Sequence, residues 1–375
     1  MLISSLDGKK IAIIGATGFI GGRLFEMLKN NGINPLVILR SFTKAANLAR
    51  YNYNDILCDL NNSEKIKESL KDIDICFNCA HDFTSSQNEM LSAINNLALA
   101  CIDHNVKLIH LSSVAVHEPM HSELIDESSE MCTKNNFYGY TKKLIEEKLL
   151  DFQKNLKLDV IILSPTNVYG PFSGAWTIGP CNKLINGKVV LTEESKQSVN
   201  NLIYVDDVCN YMIKASKSNI DNNVEPIFLI NGPDNDISWS KFYQNYSEIL
   251  GVEMPIYIDE KKIIKNNKNF FKFLINGIKN ISMFEDNLLT AYFVSLLKKL
   301  PNSIKSKLKI YQKSLSSKLG ETIFYPNNKE ISDYKNKSFV SNKKASLILN
   351  YEPKYSYKEG MKKTSQFIGW FYQKS

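Results

Sequence analysis

The stretch that decides the fold is KIAIIGATGFIG, residues 10–21. Its first five residues have the apolar pattern of a short strand, and glycines then recur at every third position, at Gly15, Gly18 and Gly21. A helical pattern follows over 19–31 and ends at Gly32, a typical C-cap residue. Glycine at these positions permits a tight turn, close approach of the backbone to a pyrophosphate and close packing of helix on strand. The segment therefore predicts a dinucleotide-binding turn within a βαβ unit.

Outward from this turn, short apolar strands alternate with helical patterns. The helices are predicted at 19–31, 63–70 (with Ser63 as N-cap), 89–105 and 138–152, and the strands at 10–15, 35–40, 55–60, 73–80, 107–112, 159–163 and 226–231. Alternation of this kind predicts a parallel sheet covered on both faces by helices. The expected fold class is α/β: a Rossmann doubly wound parallel sheet with a smaller, mostly helical C-terminal substrate domain.

The domain boundaries follow from where the alternation weakens. Residues 1–170 plus about 200–235 are expected to form the NAD(P)-binding domain. Residues about 171–199 plus 236–375 are expected to form the substrate-binding domain, with 171–200 rich in loops.

A basic helical insert is expected at 261–318, where thirteen Lys face only two acidic residues. One hypothesis makes this insert a peripheral contact with an anionic membrane. The favoured one makes it a helical cap with a solvated Lys face.

Bulk composition excludes several classes of protein. The chain has 375 residues, 43% hydrophobic residues and a net charge of +7, as in ordinary globular proteins. Its three Arg make groove-reading of nucleic acid an unlikely function. No apolar run is long enough to span a membrane and no signal peptide is evident, so a cytoplasmic protein is expected. The seven Cys are expected to be reduced thiols, and no metal site is expected, because the Cys76/Cys79 pair lies in or beside a strand without zinc-like partners.

The residue after the second strand bears on the type of dinucleotide. NAD-preferring folds usually place an acid there, but this chain has Arg40. A cation suits a 2′-phosphate, so NADP(H) is favoured and NAD(H) remains possible. Arg23 could assist in the same role. The alternative is that Arg40 is only a solvated residue at a strand end.

A second cluster of residues indicates proton transfer. Tyr138 and Lys142 stand four residues apart, on one face of a predicted helix. A nearby ammonium favours the phenolate form of tyrosine and makes it a better acid–base group near neutral pH. Ser113, at the end of the fifth strand, could direct its hydroxyl at the same substrate oxygen. Tyr140 is a competing tyrosine in the same segment.

Taken together, these motifs resemble the extended short-chain dehydrogenases/reductases, the NAD(P)-dependent epimerase/dehydratase family. The motifs that carry the resemblance run nearly end to end in the expected order: GATGFIG at 15–21, Asp59-Leu60, Asn78-Cys-Ala80, Asn95, Ser112-Ser113, Tyr138 with Lys142, SPTNVYGP at 164–171, YVDDV at 204–208 and SNKKASLILNYEPKYSYKEGMKKT near the C-terminus.

The resemblance implies a set of site residues. Tyr138 would be the acid/base, Lys142 would bind the nicotinamide ribose and Ser113 would orient the substrate oxygen. Cofactor-binding positions would be Gly15, Thr17, Gly18, Phe19, Ile20 and Gly21 at the turn, Arg40 at the second strand, Asp59 and Leu60 beside the adenine, Asn78 and Ala80 in the groove, Asn95 supporting the catalytic helix, and Pro165, Asn167 and Val168 beside the nicotinamide and substrate.

Departures from the family pattern narrow the reaction. Dehydratases of this family carry an acid–acid or acid–lysine pair after the catalytic hydroxyl residue, but this chain has Val114 and Ala115, which cannot move a proton. Nucleotide-sugar epimerases commonly carry an Arg before the YVDDV-type motif, and the segment 199–203 has none; the residue before Pro165, often Arg, is Ser164.

The sequence thus predicts an NAD(P)-dependent oxidoreductase that transfers hydride at a carbonyl or alcohol carbon of a sugar-like small molecule. The alternatives are a nucleotide-sugar epimerase with tightly bound NAD and, less favoured, a non-catalytic dinucleotide-binding protein. The family further implies a homodimer.

Overall fold

The structure is a computed structural model, and it describes residues 6, 8–120, 122–221, 223–234, 236–260 and 322–372. The predicted basic insert at 261–318, with its proposed membrane contact, lies outside the described residues. No helix in the described part of the chain is both long enough and apolar enough to cross a membrane.

The strands and helices of the described residues alternate along much of the chain. The strands are β1 (Ile11–Ile14), β2 (Leu36–Leu39), β3 (Asn54–Leu57), β4 (Ile75–Asn78), β5 (Lys107–Leu111), β6 (Leu124–Ile125), β7 (Val160–Pro165), β8 (Asn167–Tyr169), β9 (Lys188–Thr192), β10 (Leu202–Tyr204), β11 (Ile227–Ile230), β12 (Ile256–Ile258), β13 (Ile323–Phe324) and β14 (Phe339–Val340). The helices are α1 (Phe19–Asn30), α2 (Ser63–Ser69), α3 (Gln87–His104), α4 (Phe137–Leu156), α5 (Gly179–Asn186), α6 (Val205–Ala215), α7 (Trp239–Leu250), α8 (Asn328–Lys335), α9 (Lys343–Leu349) and α10 (Tyr357–Phe371).

The central sheet has the strand order β11-β7-β5-β4-β1-β2-β3, and every pairing is parallel. All four residues of β1 and of β4 are buried, as expected for strands covered on both faces. The strand order reverses between β1 and β4, where β1 pairs with β2 on one side and β4 on the other. A crevice at the carboxyl ends of the strands is the usual ligand site of such a sheet. The predicted α/β doubly wound fold is confirmed.

The chain divides into two compact units. The first comprises 1–177, 199–237 and 337–375, and it contains the central sheet. The second comprises 178–198 and 238–336. The pattern in the sequence assigned 337–375 to the smaller domain, whereas its described part packs with the sheet.

The second unit is built on its own small sheet. Strands β12, β9 and β13 pair in that order, all parallel. Val190 of β9 and Ile331 of α8 are buried in its apolar core. Trp239 and Tyr334 add an aromatic contact, with ring centroids 5.7 Å apart.

The last described segment is tied into the first unit by buried polar contacts. Strand β14 pairs with β6. The Asn201 side-chain oxygen accepts hydrogen bonds from Val340 N at 2.9 Å and from Asn231 Nδ2 at 3.1 Å. The Asn201 amide nitrogen donates to Ser338 O at 2.9 Å. Because buried amide groups need partners, this network fixes three distant segments of the chain together.

Two local predictions were wrong, and the predicted end of the first helix was displaced by one residue. Residues 171–200 are not simply loops, because they contain α5 and β9, and the short apolar run KVVLT was too brief to identify as a strand without its partners. The N-cap of α2 is Asn62, whose side chain accepts from Lys65 N, and Ser63 is the first helical residue. The helix α1 ends at Asn30 with Asn31 as its C-cap, and Gly32 follows at φ +83°.

Candidate active site

The glycine turn between β1 and α1 leaves no room for side chains. Gly15 has φ +86°, and a Cβ there would lie 2.7 Å from Ala80 N. A Cβ on Gly21 would lie 2.4 Å from Gly15 O. The backbone of the turn is closed by Gly18 N, which donates to Gly15 O at 3.0 Å. Close backbone packing therefore requires glycine at Gly15 and Gly21, and Gly15 is required by its positive φ as well.

The N-terminus of α1 is open to an anion. Gly18 is its N-cap and supplies no side-chain cap, and no acidic residue lies in the first turn. The N–H groups at the start of a helix lack helical partners and carry the positive end of the helix dipole. Gly18 is exposed, and Thr17, Phe19 and Ile20 are half-buried. This backbone fits a pyrophosphate group, because a side chain at Gly15 or Gly21 would clash with the turn itself.

The end of β4 lies directly behind the turn. Asn78 is 3% exposed, and its side-chain oxygen accepts from Ala80 N at 3.1 Å. Its amide nitrogen lies 3.1 Å from His110 Nδ1 on the neighbouring strand β5. Burial lowers the pKa of His110 well below its usual value, and Lys142 and His81 act in the same direction. Asn78 thus fixes the backbone that faces Gly15.

The two arginines considered for a 2′-phosphate have different partners. Arg40 is 61% exposed at the end of β2 and forms an ion pair with Asp82. Arg23 donates to Asp206 at 2.6 and 3.0 Å and to Glu26 at 2.9 Å. The guanidinium of Arg23 is therefore occupied in joining α1 to α6, and the suggestion that it assists Arg40 is not supported by this geometry.

The remaining predicted cofactor positions are spread along the carboxyl side of the sheet. Asp59 is exposed and accepts from Asn61 N at 2.9 Å. The carbonyl of Leu60 accepts from Asn96 Nδ2 at 3.0 Å, which makes Asn96, rather than its neighbour Asn95, the α3 residue joined to this loop. Asn95 is half-buried in α3.

Past the end of β7, the chain turns directly into β8. Pro165 is the last residue of β7, and Asn167 and Val168 open β8. The Asn167 side chain donates to Asn200 Oδ1 at 2.8 Å. Asn200 is 2% exposed. The amide of Asn167 is therefore held in place by a residue of the segment 199–203, which contains no Arg.

Tyr138 and Lys142 share one face of α4, near its N-terminus. Asn136 caps the helix, and its side chain accepts from Gly139 N at 3.0 Å. Gly139 is the point of closest approach, because a Cβ there would lie 2.1 Å from Ala115 O. Tyr138 is half-buried and Lys142 is 3% exposed. The helix thus presses the catalytic candidates against the loop that follows β5.

The Lys142 ammonium is hydrogen-bonded to the backbone at the end of β5. Its Nζ donates to Leu111 O, the last carbonyl of β5, at 2.9 Å. Burial lowers the pKa of Lys142 to about 8, whereas Glu146 and Cys79 act to raise it. The ammonium therefore loses its proton in a range close to neutral pH.

Ser113 begins the turn against which the N-terminal part of α4 packs. It is half-buried and caps the short 3₁₀ helix Val114–His117, with its Oγ accepting from Ala115 N at 3.2 Å. Val114 and Ala115 are both 4% exposed. Because Gly139 lies against Ala115, the structure brings the loop of Ser113 and the helix of Tyr138 together.

Two groups of residues at this site were missed by the sequence analysis. His81 and Phe83 follow β4 and contact the Tyr138 ring, with centroid distances of 5.0 and 6.1 Å. Glu146 lies one turn beyond Lys142 and is 0% exposed. The spacing of Glu146 from Lys142 was a usable signal, since residues four apart share a helix face. Nothing local to His81 or Phe83 signalled their contact with Tyr138.

The part of the chain that forms this site matches the model of a known protein family. The model of the NAD dependent epimerase/dehydratase family matches residues 11–230. This match confirms the resemblance that the sequence motifs indicated.

Solved structures of similar fold cover nearly the whole chain. A UDP-glucose 4-epimerase from Thermotoga maritima, solved with UDP-glucose, has a TM-score of 0.67 at 19% identity, covering 96% of this chain and 99% of that one. A UDP-glucuronic acid 4-epimerase from Bacillus cereus in complex with NAD has 0.67 at 18% identity, covering 97% and 98%. A dTDP-glucose 4,6-dehydratase from Bacillus anthracis in complex with NAD has 0.67 at 14% identity, covering 98% of both chains. At these identities the likeness is one of fold.

Proposed function

Because this chain belongs to the NAD dependent epimerase/dehydratase family, we propose that it is an NAD(P)-dependent oxidoreductase acting on a sugar-like substrate. The reaction is hydride transfer at a carbonyl or alcohol carbon. The observation that carries the proposal is the placement of Tyr138 and buried Lys142 on one face of α4, packed through Gly139 against the loop of Ser113. This loop follows β5, two strands from the glycine turn in the same sheet.

The residues that would hold the dinucleotide are those of the turn and the neighbouring strand ends. Backbone N–H groups of 19–21 would bind the pyrophosphate, because the N–H of Gly18 already donates to Gly15 O, and Asn78 would hold Ala80 at the groove. Asp59 and Leu60 would flank the adenine, with Asn95 on the adjoining helix. Lys142 would bind the nicotinamide ribose. Pro165, Asn167 and Val168 would line the nicotinamide and substrate.

We favour NADP(H), with NAD(H) as the alternative, because Arg40 rather than an acid follows β2. Its exposed guanidinium is suited to a 2′-phosphate. The ion pair with Asp82 opposes this preference, since a bound phosphate would have to share or replace that partner. The relatives crystallised with NAD keep the alternative open.

The bound dinucleotide supplies or accepts the hydride. In the reducing direction, Tyr138 donates a proton to the carbonyl oxygen, and the Ser113 hydroxyl hydrogen-bonds that oxygen and orients it. The Lys142 ammonium favours the phenolate that remains on Tyr138. In the oxidising direction, the same phenolate removes the proton from the alcohol.

Elimination is not part of the proposal. Val114 and Ala115 occupy the positions after Ser113, and both are buried apolar side chains that cannot serve as acid or base. A nucleotide-sugar epimerase is the second candidate, favoured by the similarity in fold to the two UDP-sugar 4-epimerases. Nucleotide-sugar epimerases commonly carry an Arg for the substrate diphosphate in this segment. This chain has Asn200 and Asn201 there instead, and both are buried.

The test combines binding and a pair of matched variants. The protein as purified is examined for bound dinucleotide, and then titrated with NADH and NADPH by fluorescence. Tyr138→Phe is compared with Tyr140→Phe in assays with UDP-glucose, UDP-glucuronic acid and simple ketoses. We expect Tyr138→Phe to abolish turnover and Tyr140→Phe to leave it nearly unchanged. Failure of both dinucleotides to bind would refute the proposal, and tightly retained NAD would favour the epimerase.

The remaining parts of the proposal concern assembly. We propose that the smaller unit, 178–198 with 238–336, carries substrate recognition, and that the protein is a cytoplasmic homodimer. Light scattering coupled to size-exclusion chromatography tests the dimer.

A further inference from the structure

Glu146 is a carboxylate without a role in the reaction described above. It lies on α4 one turn beyond Lys142, on the same helix face, and none of its surface is exposed. Its Oε1 accepts a hydrogen bond from Ser164 Oγ at 2.9 Å. Ser164 lies in β7 and is itself 0% exposed. A buried carboxylate is costly unless it is paired and hydrogen-bonded, so its presence behind the catalytic pair calls for a physical reason.

The groups that act on Glu146 and Lys142 lie on α4 itself, on or just after β4, β5 and β7, and just before β11. Those acting on Glu146 are Lys142, the Ser112 and Ser164 hydroxyls, and Glu225 before β11; those interacting with Lys142 are Glu146, Cys79, His81 and His110. Burial lowers the pKa values of the two imidazoles, which therefore carry no charge near neutral pH, and it raises the pKa of the Cys79 thiol to about 12. Among these groups, Glu146 is the acid that opposes the charge of Lys142 across one helical turn.

The two groups influence each other's protonation. Burial raises the pKa of Glu146 to about 7, and the two serines and Lys142 act to lower it. Burial lowers the pKa of Lys142 to about 8, and Glu146 acts to raise it. Each charge therefore favours the other, because the carboxylate and the ammonium are both buried on one helix face. Without the carboxylate, burial would remove the proton from Lys142 at a lower pH.

We propose that Glu146 is a positioning residue that keeps Lys142 protonated, and directed by its bond to Leu111 O, beside Tyr138, with Ser164 holding the Glu146 carboxylate in place. This inference rests on the proposed function, because it assigns Lys142 to the cofactor ribose. Glu146 acts through Lys142 and does not touch the substrate. If Glu146 only filled volume in the core, Glu146→Gln would preserve the protonation of Lys142, because glutamine has nearly the same volume.

The test is the pH dependence of dinucleotide affinity in Glu146→Gln. NADH and NADPH are the probes, titrated by fluorescence from pH 6 to pH 9.5. In the wild-type protein we expect the Kd to rise about fivefold as Lys142 loses its proton, since a hydrogen bond from a charged donor is stronger than one from a neutral donor. In Glu146→Gln the midpoint of this rise should move to lower pH by about one unit.

Three further variants serve as controls and as independent tests. Glu147→Gln changes the exposed neighbour, which pairs with Lys143 at 3.8 Å, and should leave the midpoint unchanged. Ser164→Ala removes the donor that stabilises the Glu146 charge, so it should lower the midpoint by a smaller amount. This variant carries the test if Glu146→Gln does not fold. Glu146→Asp should restore part of the wild-type midpoint.

The outcomes separate this inference from the proposed function. A midpoint that stays in place in Glu146→Gln and Ser164→Ala, with binding at pH 6.5 intact, overturns the role of Glu146 and leaves the oxidoreductase standing. Absence of NADH and NADPH binding to the wild-type protein overturns both.

Discussion

The imidazole of His81 meets the phenol ring of Tyr138 edge-on, with ring centroids 5.0 Å apart and ring planes at 89°. Phe83 lies nearly parallel to the same phenol, at 20° and 6.1 Å, and is 56% exposed. His81 makes no hydrogen bond to any residue in the described part of the chain. Burial and the Lys142 charge lower the pKa of His81 to about 3, so the ring is neutral at physiological pH. The proposed acid/base tyrosine thus packs against an uncharged aromatic neighbour.

The first prediction tests whether His81 acts by packing against Tyr138 or by a hydrogen bond from its ring to the substrate. Edge-to-face aromatic contacts contribute about 0.5–1.5 kcal/mol, so His81→Ala should lower kcat by about tenfold as Tyr138 loses its orientation. His81→Phe keeps the ring and should retain most of kcat. Steady-state kinetics from pH 5.5 to pH 9 should show no change in the shape of the profile for His81→Phe. Equal losses in both variants would show instead that a ring nitrogen contacts the substrate.

The second prediction concerns the fit of α4 against the loop after β5. In Gly139→Ala the new methyl group would lie 2.1 Å from Ala115 O, so the start of the helix must move. We expect a loss of about 1–3 kcal/mol in the free energy of unfolding, as for other overpacked sites, together with a large fall in kcat. Urea unfolding and turnover measure the two effects.

Gly369→Ala is the matched control for that change. It also replaces a helical glycine, but in α10, where a Cβ would meet no atom within 4 Å. It should raise the free energy of unfolding by about 0.5–1 kcal/mol, because alanine favours a helix over glycine. A Gly139→Ala protein as active and stable as the wild type would contradict the packing argument.

The third prediction tests how the Arg40–Asp82 pair affects cofactor choice. Burial acts to raise the pKa of Asp82, but hydrogen bonds from Thr84, Ser85 and Arg40 outweigh it and hold that pKa well below its usual value. Asp82 is therefore a charged competitor for the guanidinium. Arg40→Ala should weaken NADPH binding about tenfold, the loss of one charge-assisted phosphate contact.

Asp82→Asn provides the opposite change, because it frees Arg40 and should strengthen NADPH binding by about threefold. The Kd of NADH should change by less than about twofold in both variants, since NADH has no 2′-phosphate. Parallel fluorescence titrations give all four values. Equal effects on NADH and NADPH would assign Arg40 to the strand end alone and favour NAD(H).

The fourth prediction concerns the acid that anchors the last segment of the first unit. Asp207 is 0% exposed and accepts hydrogen bonds from Tyr351 OH at 2.6 Å, Lys354 N at 2.8 Å and Tyr355 N at 2.9 Å. Asp207→Asn should cost about 2–4 kcal/mol, because an amide cannot accept all three bonds. The shift in urea midpoint measures it. Asp221→Asn, an exposed acid in the same unit, should change stability by less than about 0.5 kcal/mol.

Local sequence patterns were sufficient to predict those parts of the structure that depend on neighbouring residues alone. The turn at Gly15, Gly18 and Gly21 combines backbone conformation and helix packing within seven residues, and the sequence predicts it correctly. The positions of the sheet strands followed from short apolar runs, within a few residues at each end. The helix that carries Tyr138 and Lys142 was predicted from spacing alone.

Other features depend on partners far along the chain. Arg23 meets Asp206 across 183 positions, so no local pattern shows that its charge is already used. His81 precedes Tyr138 by more than fifty residues, and only the close packing of α4 brings their rings together. Strand β9 is specified by its pairing with β12 and β13 rather than by its own five residues. In each case the feature depends on a contact between two distant segments. A local sequence pattern contains only one of the two partners, so it cannot predict the contact.

The pairing of β14 with β6, and the bonds from residues 338–355 to Asn201 and Asp207, have a consequence for biosynthesis. The strands of the central sheet leave the ribosome long before the residues that complete its surroundings. Until this segment has emerged, Asn201 and Asp207 lack these bonds and the edge of β6 stays unpaired. The unit that carries Tyr138 therefore stays incomplete during translation until residues 338–355 have been made.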